Sequence, residues 1–395
     1  MSIARFNRQV YILSAGMFCM AASYTMLVPF LPVYLMQLGV EKQAVPEWSG
    51  IIFSAAFLVG AVMAPIWGRM SDMMGQKKMC LRAAICISVS YFAAGIVSDP
   101  WQLLGTRILL GFSNGFMPAA MALIAFMAPK EKIASSLGIF LTGQLLGHIC
   151  GPVFGGIIAS LFGVRTSFVI GSLLIACAAL LVFFFIDDAK PEIIDTSGSL
   201  AADFSIVAHT PILREMLTYS FLIQFVLIML QPVFAIHIGH LCGSVEGATL
   251  TTGIVLGLGS TAGALTAAFW GHQGQQRGYF RTMFATLFFS GIFMTAQAFS
   301  STVILFALFQ FCVGLFFIGT MPSLNAVMSN TCPQDFRGRI FGMNAMVQQI
   351  GGVFGPLFSG FFAPLLSTSG LFMVSGMTLI GMAGFLRRRH ISRGE

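Results

Sequence analysis

Long apolar runs follow one another along the whole chain, separated by short polar gaps. They cover about residues 10–36, 49–68, 80–98, 101–127, 134–160, 164–186, 213–237, 249–270, 281–300, 302–328, 339–364 and 368–386. An α-helix needs about 20 apolar residues to cross the hydrocarbon core of a bilayer. Only helices and closed barrels satisfy their backbone hydrogen bonds in lipid, and these runs are too long and too uniformly apolar for barrel strands. The sequence therefore predicts an all-α integral membrane protein with twelve transmembrane helices.

The composition excludes several other classes of protein. Only 9% of the residues are charged and 57% are hydrophobic, whereas soluble domains carry about 25% charged residues. A soluble enzyme, a disordered chain and a disulfide-rich secreted module are therefore excluded. The eight cysteines form no CxxC or Cys/His spacing, so we expect no metal site and interpret them as small apolar residues.

The basic residues predict how the helices are threaded through the membrane. The net charge of +7 does not indicate nucleic-acid binding, because the basic residues form no aromatic-interleaved patch. With a cytoplasmic N-terminus, 18 of the 21 Lys and Arg residues fall on the cytoplasmic side, Lys42 and Arg165 fall outside, and Arg107 falls within a span. Cytoplasmic loops are enriched in Lys and Arg. We therefore expect a multi-pass protein of the bacterial cytoplasmic (inner) membrane with both termini in the cytoplasm.

The first and second halves of the sequence are similar to each other. Offsets of 203–204 residues align residues 64–68 with 267–271, 117–122 with 321–326, and 147–156 with 351–360. An acidic stretch at 187–212 separates a six-helix half at 1–186 from a second at 213–395. Parallel repeats of this kind, enclosing a site at the membrane midplane, are typical of transporters. The predicted fold therefore has two pseudo-symmetric halves, joined by a cytoplasmic linker.

The loop after the second helix carries a glycine, acid and lysine pattern, consisting of Gly68, Asp72, Gly75, Lys77 and Lys78. A glycine allows close helix approach, and an aspartate is favoured at a helix N-terminus. A simple basic cytoplasmic loop is the alternative interpretation.

This loop resembles the signature between helices 2 and 3 of the major facilitator superfamily. In that family the cluster holds the cytoplasmic side shut in the outward-facing state. The resemblance implies a gating latch here, but Met73 and Gln76 stand where basic residues are usual. Gln275 replaces the aspartate in the second half, so the second latch is degenerate.

Arg107 is the only charged residue that lies well inside a predicted span. A charge in lipid costs about 2.5–3.5 kcal/mol on insertion scales, which makes it a functional candidate. The alternative is an arginine that snorkels from the helix end marked by Asp99 and Pro100. The segment resembles the helix-4 motif of the same superfamily, and the repeat places Gln310 opposite. The nearby Gly111-x-Ser113-x-Gly115 pattern is not interpreted as a nucleophile, because it lies within an apolar helix.

The fifth helix carries a Gly-x-x-x-Gly-Pro-x-x-Gly-Gly pattern. Its residues, with their repeat partners, are Gly147, Gly151, Pro152, Gly155, Gly156, Gly355 and Pro356. Glycines four residues apart permit close helix packing, and proline kinks the helix. The pattern resembles the helix-5 motif of the drug/proton antiporter branch, which implies packing against helix 8 and antiport. Residues 48–81 are similar to those of MdtG-type multidrug exporters.

The polar residues inside the spans supply candidates for coupling and for the substrate cavity. All 14 Asp and Glu residues fall in loops or at helix ends, so the coupling candidates are Arg107, His148 and Asp72, with a packed core histidine as the alternative for His148. The cavity candidates are Tyr24, Asn114, Gln144, Gln224, Gln231, Asn325, Asn344 and Gln348. Without a fixed negative charge, neutral, zwitterionic or anionic substrates are as well matched as cations.

These features together predict a secondary active transporter and not an enzyme. It would export small amphipathic molecules, including drugs, by alternating access and proton antiport, as a monomer in the lipid bilayer. We expect no nucleic-acid partner and no cofactor, with the proton gradient as the energy source. The alternatives are a dedicated metabolite or siderophore transporter of the same fold and, from another class, a membrane receptor or enzyme.

Overall fold

The computed structural model describes residues 3–129, 132–187, 200–244, 248–333 and 336–391, and within them every regular element is a helix. In the first half, α1 (Ile3–Leu27) passes through a 3-10 turn at Val28–Phe30 into α2. The elements that follow are α2 (Leu31–Gln37), α3 (Val45–Met74), α4 (Gln76–Ile96), α5 (Pro100–Ser113), α6 (Phe116–Met127), α7 (Ile133–Phe162) and α8 (Val164–Phe185).

The remaining helices follow the polar stretch that begins at residue 187. They are α9 (Leu200–His209), α10 (Pro211–Cys242), α11 (Thr249–Arg277), α12 (Tyr279–Gln297), α13 (Val303–Phe317), α14 (Thr320–Thr331) and α15 (Arg337–Leu386), and a π-helical turn at Arg387–Ile391 ends the described chain.

The described helices confirm the twelve predicted spans. Ten stretches are long and apolar enough to cross a membrane. One of these, Gly338–His390, has 53 residues and would be about 80 Å long as a single helix, so it must contain two spans. Ser367 separates them, with a left-handed backbone at φ 60° inside α15. The 19-residue α12 supplies the twelfth span.

Two predicted spans are interrupted rather than continuous. The run at 101–127 is divided into α5 and α6, and the run at 302–328 into α13 and α14. In the first, Asn114 is extended and Gly115 has φ +124°, a conformation that a glycine adopts without steric cost. Apolar composition does not report such a break, because both sides of it remain buried in lipid or protein.

The linker predicted at 187–212 is partly helical. Residues 188–199 lie outside the described chain, but α9 occupies Leu200–His209. Its last turn is closed by side chains, since the Thr210 hydroxyl donates to the Ile206 carbonyl at 2.9 Å. Pro211 then begins α10 at a first-turn position, where the missing N–H is tolerated.

The chain divides into two compact units. The first contains the described residues of 1–195 together with those of 246–257, and the second contains those of 196–245 and 258–395. In the first unit, α1 packs on α7 and α8, and α4 packs on α8. In the second, α10 and α12 both pack on α15. The pairing of α1 with α7 and of α10 with α15 follows the sequence repeat.

Candidate functional site

A cavity of about 310 Å³ lies inside the first unit. Residues of α1, α3, α4, α5, α6 and α7 line it, and most of its wall is apolar. The polar and titratable groups on the wall are Tyr24, Tyr91, Arg107, Asn114, Gln144 and His148. The structure thus brings two coupling candidates, Arg107 and His148, together with three of the predicted cavity residues.

Arg107 is buried in the middle of α5, with 4% of its surface exposed. Its Nε and Nη2 atoms are buried and meet no acceptor among the described residues. The guanidinium carbon lies 5.5 Å from the centre of the Phe168 ring, a cation–π geometry. A snorkelling arginine would reach toward the helix end, so this burial contradicts that alternative.

The cavity wall carries positive charge without a compensating acid. None of the described residues that line it is Asp or Glu, while Arg107 is charged and His148 can become so. The Asn114 Oδ1 atom already accepts from the Gly115 amide at 2.8 Å, which leaves its NH₂ group as a donor. The Asn114 NH₂ group and the Arg107 guanidinium therefore offer hydrogen-bond donors to a bound molecule.

His148 faces this cavity from α7. It is half-buried, and none of the hydrogen bonds found among the described residues involves it. A core histidine would normally have a hydrogen-bond partner. This geometry leaves the ring nitrogens available to water, a proton or a substrate.

The predicted latch is only partly visible. The side chain of Asp72 lies outside the described part of the structure. Gly75 ends α3 with φ 92°, which is the reason for a glycine there. The Lys77 ammonium lies 6.0 Å from the centre of the Phe183 ring, and Lys78 is exposed. A Cβ at Gly68 would meet no atom within 4 Å, so the expected close helix approach at Gly68 is wrong for this structure.

Three glycines of the helix-5 motif, Gly147, Gly151 and Gly155, face α1, whereas the resemblance implied packing against helix 8. A Cβ on Gly147 would come within 2.7 Å of the Phe18 carbonyl oxygen, and one on Gly151 within 2.6 Å of that of Ala22. Gly155 lies in the same way against Met26. Spacing by four residues places all three on one face of α7, and that face packs on α1.

One other face of the motif does contact the start of α11, which corresponds to helix 8. A Cβ on Gly156 would lie 2.9 Å from the Thr249 carbonyl oxygen, and the Gly253 backbone packs against Pro152. These residues belong to the first compact unit. The implied contact with helix 8 is therefore made through Pro152 and Gly156 of the motif, and Val153 also lies close to Gly257 of α11.

The second unit repeats the glycine packing. Gly351 lies against the Phe221 carbonyl, and Gly355 lies against Phe225 and Met229 of α10. The equivalent partners in the first half are Phe18 and Ala22, 203 residues earlier. Pro356 lies inside α15, as Pro152 lies inside α7.

The other predicted cavity residues lie in the second unit. Gln348 donates to the Ser220 hydroxyl at 3.2 Å, and Asn344 donates to Asn325 at 3.5 Å. The Oε1 atom of Gln231 is buried without a described partner, and Gln224 packs beside Gly351. Gln310, the repeat partner of Arg107, accepts from Gln297 at 2.7 Å. Gln348, Asn344 and Gln310 thus join helices within the second unit, and none of these amides lines the cavity of the first.

Sequence reasoning missed a clamp at the break between α5 and α6. Arg82 donates to the Asn114 carbonyl at 2.7 Å, and Trp67 donates to the Phe112 carbonyl at 2.7 Å. The guanidinium of Arg82 stacks on the Trp67 ring at 3.6 Å. The interrupted helix leaves carbonyls without intrahelical partners, and these two side chains satisfy them. The signal was the repeated Trp-Gly dipeptide at 67–68 and 270–271.

The sequence and the fold are similar to those of known transporters. The model of the Major Facilitator Superfamily matches residues 13–272 and 247–394. The Multi-drug resistance efflux pump PmrA homolog of Lactococcus lactis is 30% identical, over 98% of this chain and 97% of that protein. Multidrug resistance protein MdtG of Yersinia enterocolitica is 28% identical, over 95% of this chain and 91% of its own length. The crystal structure of the nucleoside transporter NupG has a TM-score of 0.79 at 14% identity and covers 97% of this chain and 98% of NupG.

Proposed function

Since the chain belongs to the major facilitator superfamily, we propose that it exports small amphipathic molecules, drugs among them, by alternating access driven by proton antiport. Relatives that match over nearly their full length include multidrug efflux proteins, which supports a drug transporter of the bacterial inner membrane. We further propose that both termini are cytoplasmic and that the monomer is the working unit.

The observation that carries this proposal is the cavity of the first unit. Its wall combines apolar side chains, such as Met17, Met20 and Phe53, with the donors Arg107 and Asn114. Concave sites with an apolar wall and a few placed polar groups are typical of small-molecule binding. Methionine and phenylalanine side chains accommodate varied shapes, as an exporter of several drugs requires.

We assign the proton-coupling step to titratable groups of the first unit. His148 faces the cavity, and Asp72 lies near the C-terminal end of α3, while Arg107 supplies a fixed charge on the same cavity wall as His148. Protonation of one group and substrate binding would then alternate as the two halves exchange their open sides.

Flux in proteoliposomes tests the proposal. The purified full-length protein is reconstituted, and export of fluorescent amphipathic compounds is measured with and without an imposed pH gradient. Substrate movement that follows the gradient, together with counter-movement of protons, is the expected result. If collapse of the gradient leaves every measurable flux unchanged, the antiport assignment fails.

The latch is tested by Asp72→Asn, which removes the charge and keeps the side-chain volume. We expect transport to be lost while the protein still inserts into the membrane. Asp99→Asn is the matched control, because Asp99 caps α5 by accepting from the Gln102 amide at 2.9 Å and asparagine caps a helix equally well. Normal transport by Asp72→Asn would remove this residue from the mechanism.

A dedicated transporter for one metabolite is the second candidate function. The buried Arg107 favours it, since an unpaired guanidinium is suited to one carboxylate or phosphate group. A single high-affinity anionic substrate, without any change in drug susceptibility when the gene is deleted, would support this candidate over the multidrug exporter.

A further inference from the structure

We propose that the substrates of this cavity carry an anionic group, a carboxylate or a phosphate-type oxyanion, that binds the guanidinium of Arg107. This inference rests on the proposed transport function and names its substrate class. The apolar remainder of the substrate would lie against the methionine and phenylalanine side chains of the wall.

The first argument is the unmet hydrogen-bonding capacity of Arg107. It is 4% exposed, it lines the cavity, and two of its buried nitrogens have no acceptor among the described residues. Buried polar groups of native proteins nearly always have partners, and each exception requires an explanation. A guanidinium on a cavity wall is suited to a ligand oxyanion, to which it donates charge-assisted hydrogen bonds.

The second argument is electrostatic. A buried charge is normally paired, but the described cavity wall contains no carboxylate that could pair with Arg107. The Phe168 ring at 5.5 Å offers cation–π attraction, which is weaker than the cost of placing a charge within a span. An organic cation would add repulsion to this deficit, whereas an anion removes it.

The third argument is that the neighbouring polar side chains can act as hydrogen-bond donors. The Asn114 oxygen is occupied by the Gly115 amide, and the Gln144 amide nitrogen points to the Met117 sulfur at 3.7 Å, a weak acceptor. The NH₂ group of Asn114 can therefore donate to a ligand, and the second N–H of the Gln144 amide is available as well. The donors of α5, of α7 and of the break after α5 thus match acceptor atoms, which is the pattern that an oxyanion presents.

A matched series of probes tests the inference on the full-length protein in lipid nanodiscs. The probes are 4-phenylbutyrate, 4-phenylbutanamide and 4-phenylbutylamine, which share their apolar part and differ in head-group charge. We expect the carboxylate to bind at least about tenfold more tightly than the amine, the scale of one hydrogen bond to a charged group. Equal binding of the three, preference for the amine, or no binding of the carboxylate would each overturn the proposal.

Variants at position 107 locate the effect. In Arg107→Gln we expect about a tenfold loss of carboxylate affinity and unchanged amide affinity. Arg107→Lys keeps the charge but not the bidentate geometry, so it should retain part of the preference for the carboxylate over the amine. It replaces the glutamine variant as the test if that variant fails to fold. Arg281→Gln, at an exposed position of α12, is the control for loss of a positive charge. Unchanged carboxylate affinity in Arg107→Gln contradicts the assignment.

Flux measurements separate this inference from the proposed function. Carboxylate binding that depends on Arg107, without any carboxylate transport in proteoliposomes, would support the site and contradict the transporter. Export of amines alone, insensitive to Arg107→Gln, would support the transporter and contradict the anionic substrate class. An arm with inorganic phosphate distinguishes a site for any free oxyanion from one that also requires the apolar part.

Discussion

Trp67 and Trp270, 203 residues apart, make the same hydrogen bond in their own halves of the protein. The indole Nε1 of Trp67 donates to the Phe112 carbonyl at 2.7 Å, and that of Trp270 donates to the Leu315 carbonyl at 2.7 Å. In each half the accepting carbonyl lies near an interruption of the fourth helix of that half. The sequence repeat therefore preserves a specific three-dimensional contact, and not only the order of the helices.

The two carbonyls that accept from the tryptophans differ in the second hydrogen bond that each receives. The Leu315 carbonyl also accepts from the Thr266 hydroxyl at 2.7 Å, whereas the Phe112 carbonyl has only a long second bond of 3.5 Å from Arg82. We predict that Trp67→Phe lowers the thermal stability in detergent by about 1 kcal/mol and that Trp270→Phe lowers it by less. Thermal unfolding of the two variants side by side measures this. Equal losses of stability in the two variants would show that the Thr266 hydroxyl does not compensate for the hydrogen bond that Trp270→Phe removes.

Substitution of Gly151 tests the contact between α7 and α1. A Cβ there would collide with the Thr25 hydroxyl and approach the Ala22 carbonyl, so Gly151→Ala must push the two helices apart. Overpacking of this kind costs about 1–3 kcal/mol. We expect a lower unfolding temperature and reduced transport.

Gly138 provides the control within the same helix. A Cβ at this position would meet no atom within 4 Å, and alanine is the better helix former by about 1 kcal/mol. Gly138→Ala should therefore leave stability unchanged or raise it. If Gly151→Ala behaves like Gly138→Ala, close packing on α1 is not the role of the motif.

Protonation of His148 is expected to change the affinity of the cavity for an anionic ligand in one direction. The groups that face the cavity with it are Arg107 and the hydroxyls of Tyr24 and Tyr91, without a described acid. A proton on His148 would attract an anion bound at Arg107, so 4-phenylbutyrate should bind more tightly as the pH falls through the range in which imidazole titrates. His148→Gln should abolish that pH dependence, as measured by binding titrations.

This sign also decides whether His148 can carry the antiported proton. In an antiporter, proton and substrate must exclude each other, which requires a positive (unfavourable) coupling free energy between their sites in equilibrium binding. Tighter anion binding at low pH would leave Asp72 as the remaining coupling candidate. Weaker binding at low pH, lost in His148→Gln, would instead place the exchanged proton on His148.

The end of α15 is tied to α10 by a buried carboxylate. Glu215 is 7% exposed, and its Oε2 atom lies 3.1 Å from His390 Nε2 and 3.3 Å from Arg389 Nη1. His390→Leu removes one donor from the buried carboxylate, and we expect a loss of about 1–3 kcal/mol in stability. Arg388→Leu, at an exposed neighbouring position, should change little in the same thermal unfolding assay. Comparable effects of both variants would argue against a specific tie at Glu215.

The fold was predictable because its determinants are local. The length and apolarity of each run can be compared directly with the thickness of a bilayer, and this comparison identified all twelve spans. The kink at Ser367 fell in the short gap between two runs, where a turn was expected. The break at Asn114 and Gly115 was not expected, because nothing in an apolar run requires its backbone to remain helical.

The composition of the site was predictable only in part. Arg107 and His148 were nominated as rare polar residues in lipid-facing sequence, and the structure places both on one cavity wall. Five of the amides nominated on the same grounds lie in the second unit instead, where several join helices to each other. Hydropathy marks a residue as polar within a span, but it does not report what the side chain faces.

The sequence by itself determined the class of the protein, the number of spans, the two-fold repeat and the rare charge inside the fourth predicted span. Each of these depends on residue type and spacing along the chain. The tertiary structure alone decided that Arg107 meets no described acid on its cavity wall, that Gly147, Gly151 and Gly155 face α1, and that Trp67 and Arg82 close the break between α5 and α6. These facts depend on which helices meet, and pairs such as Arg82 and Asn114 are brought together only by folding.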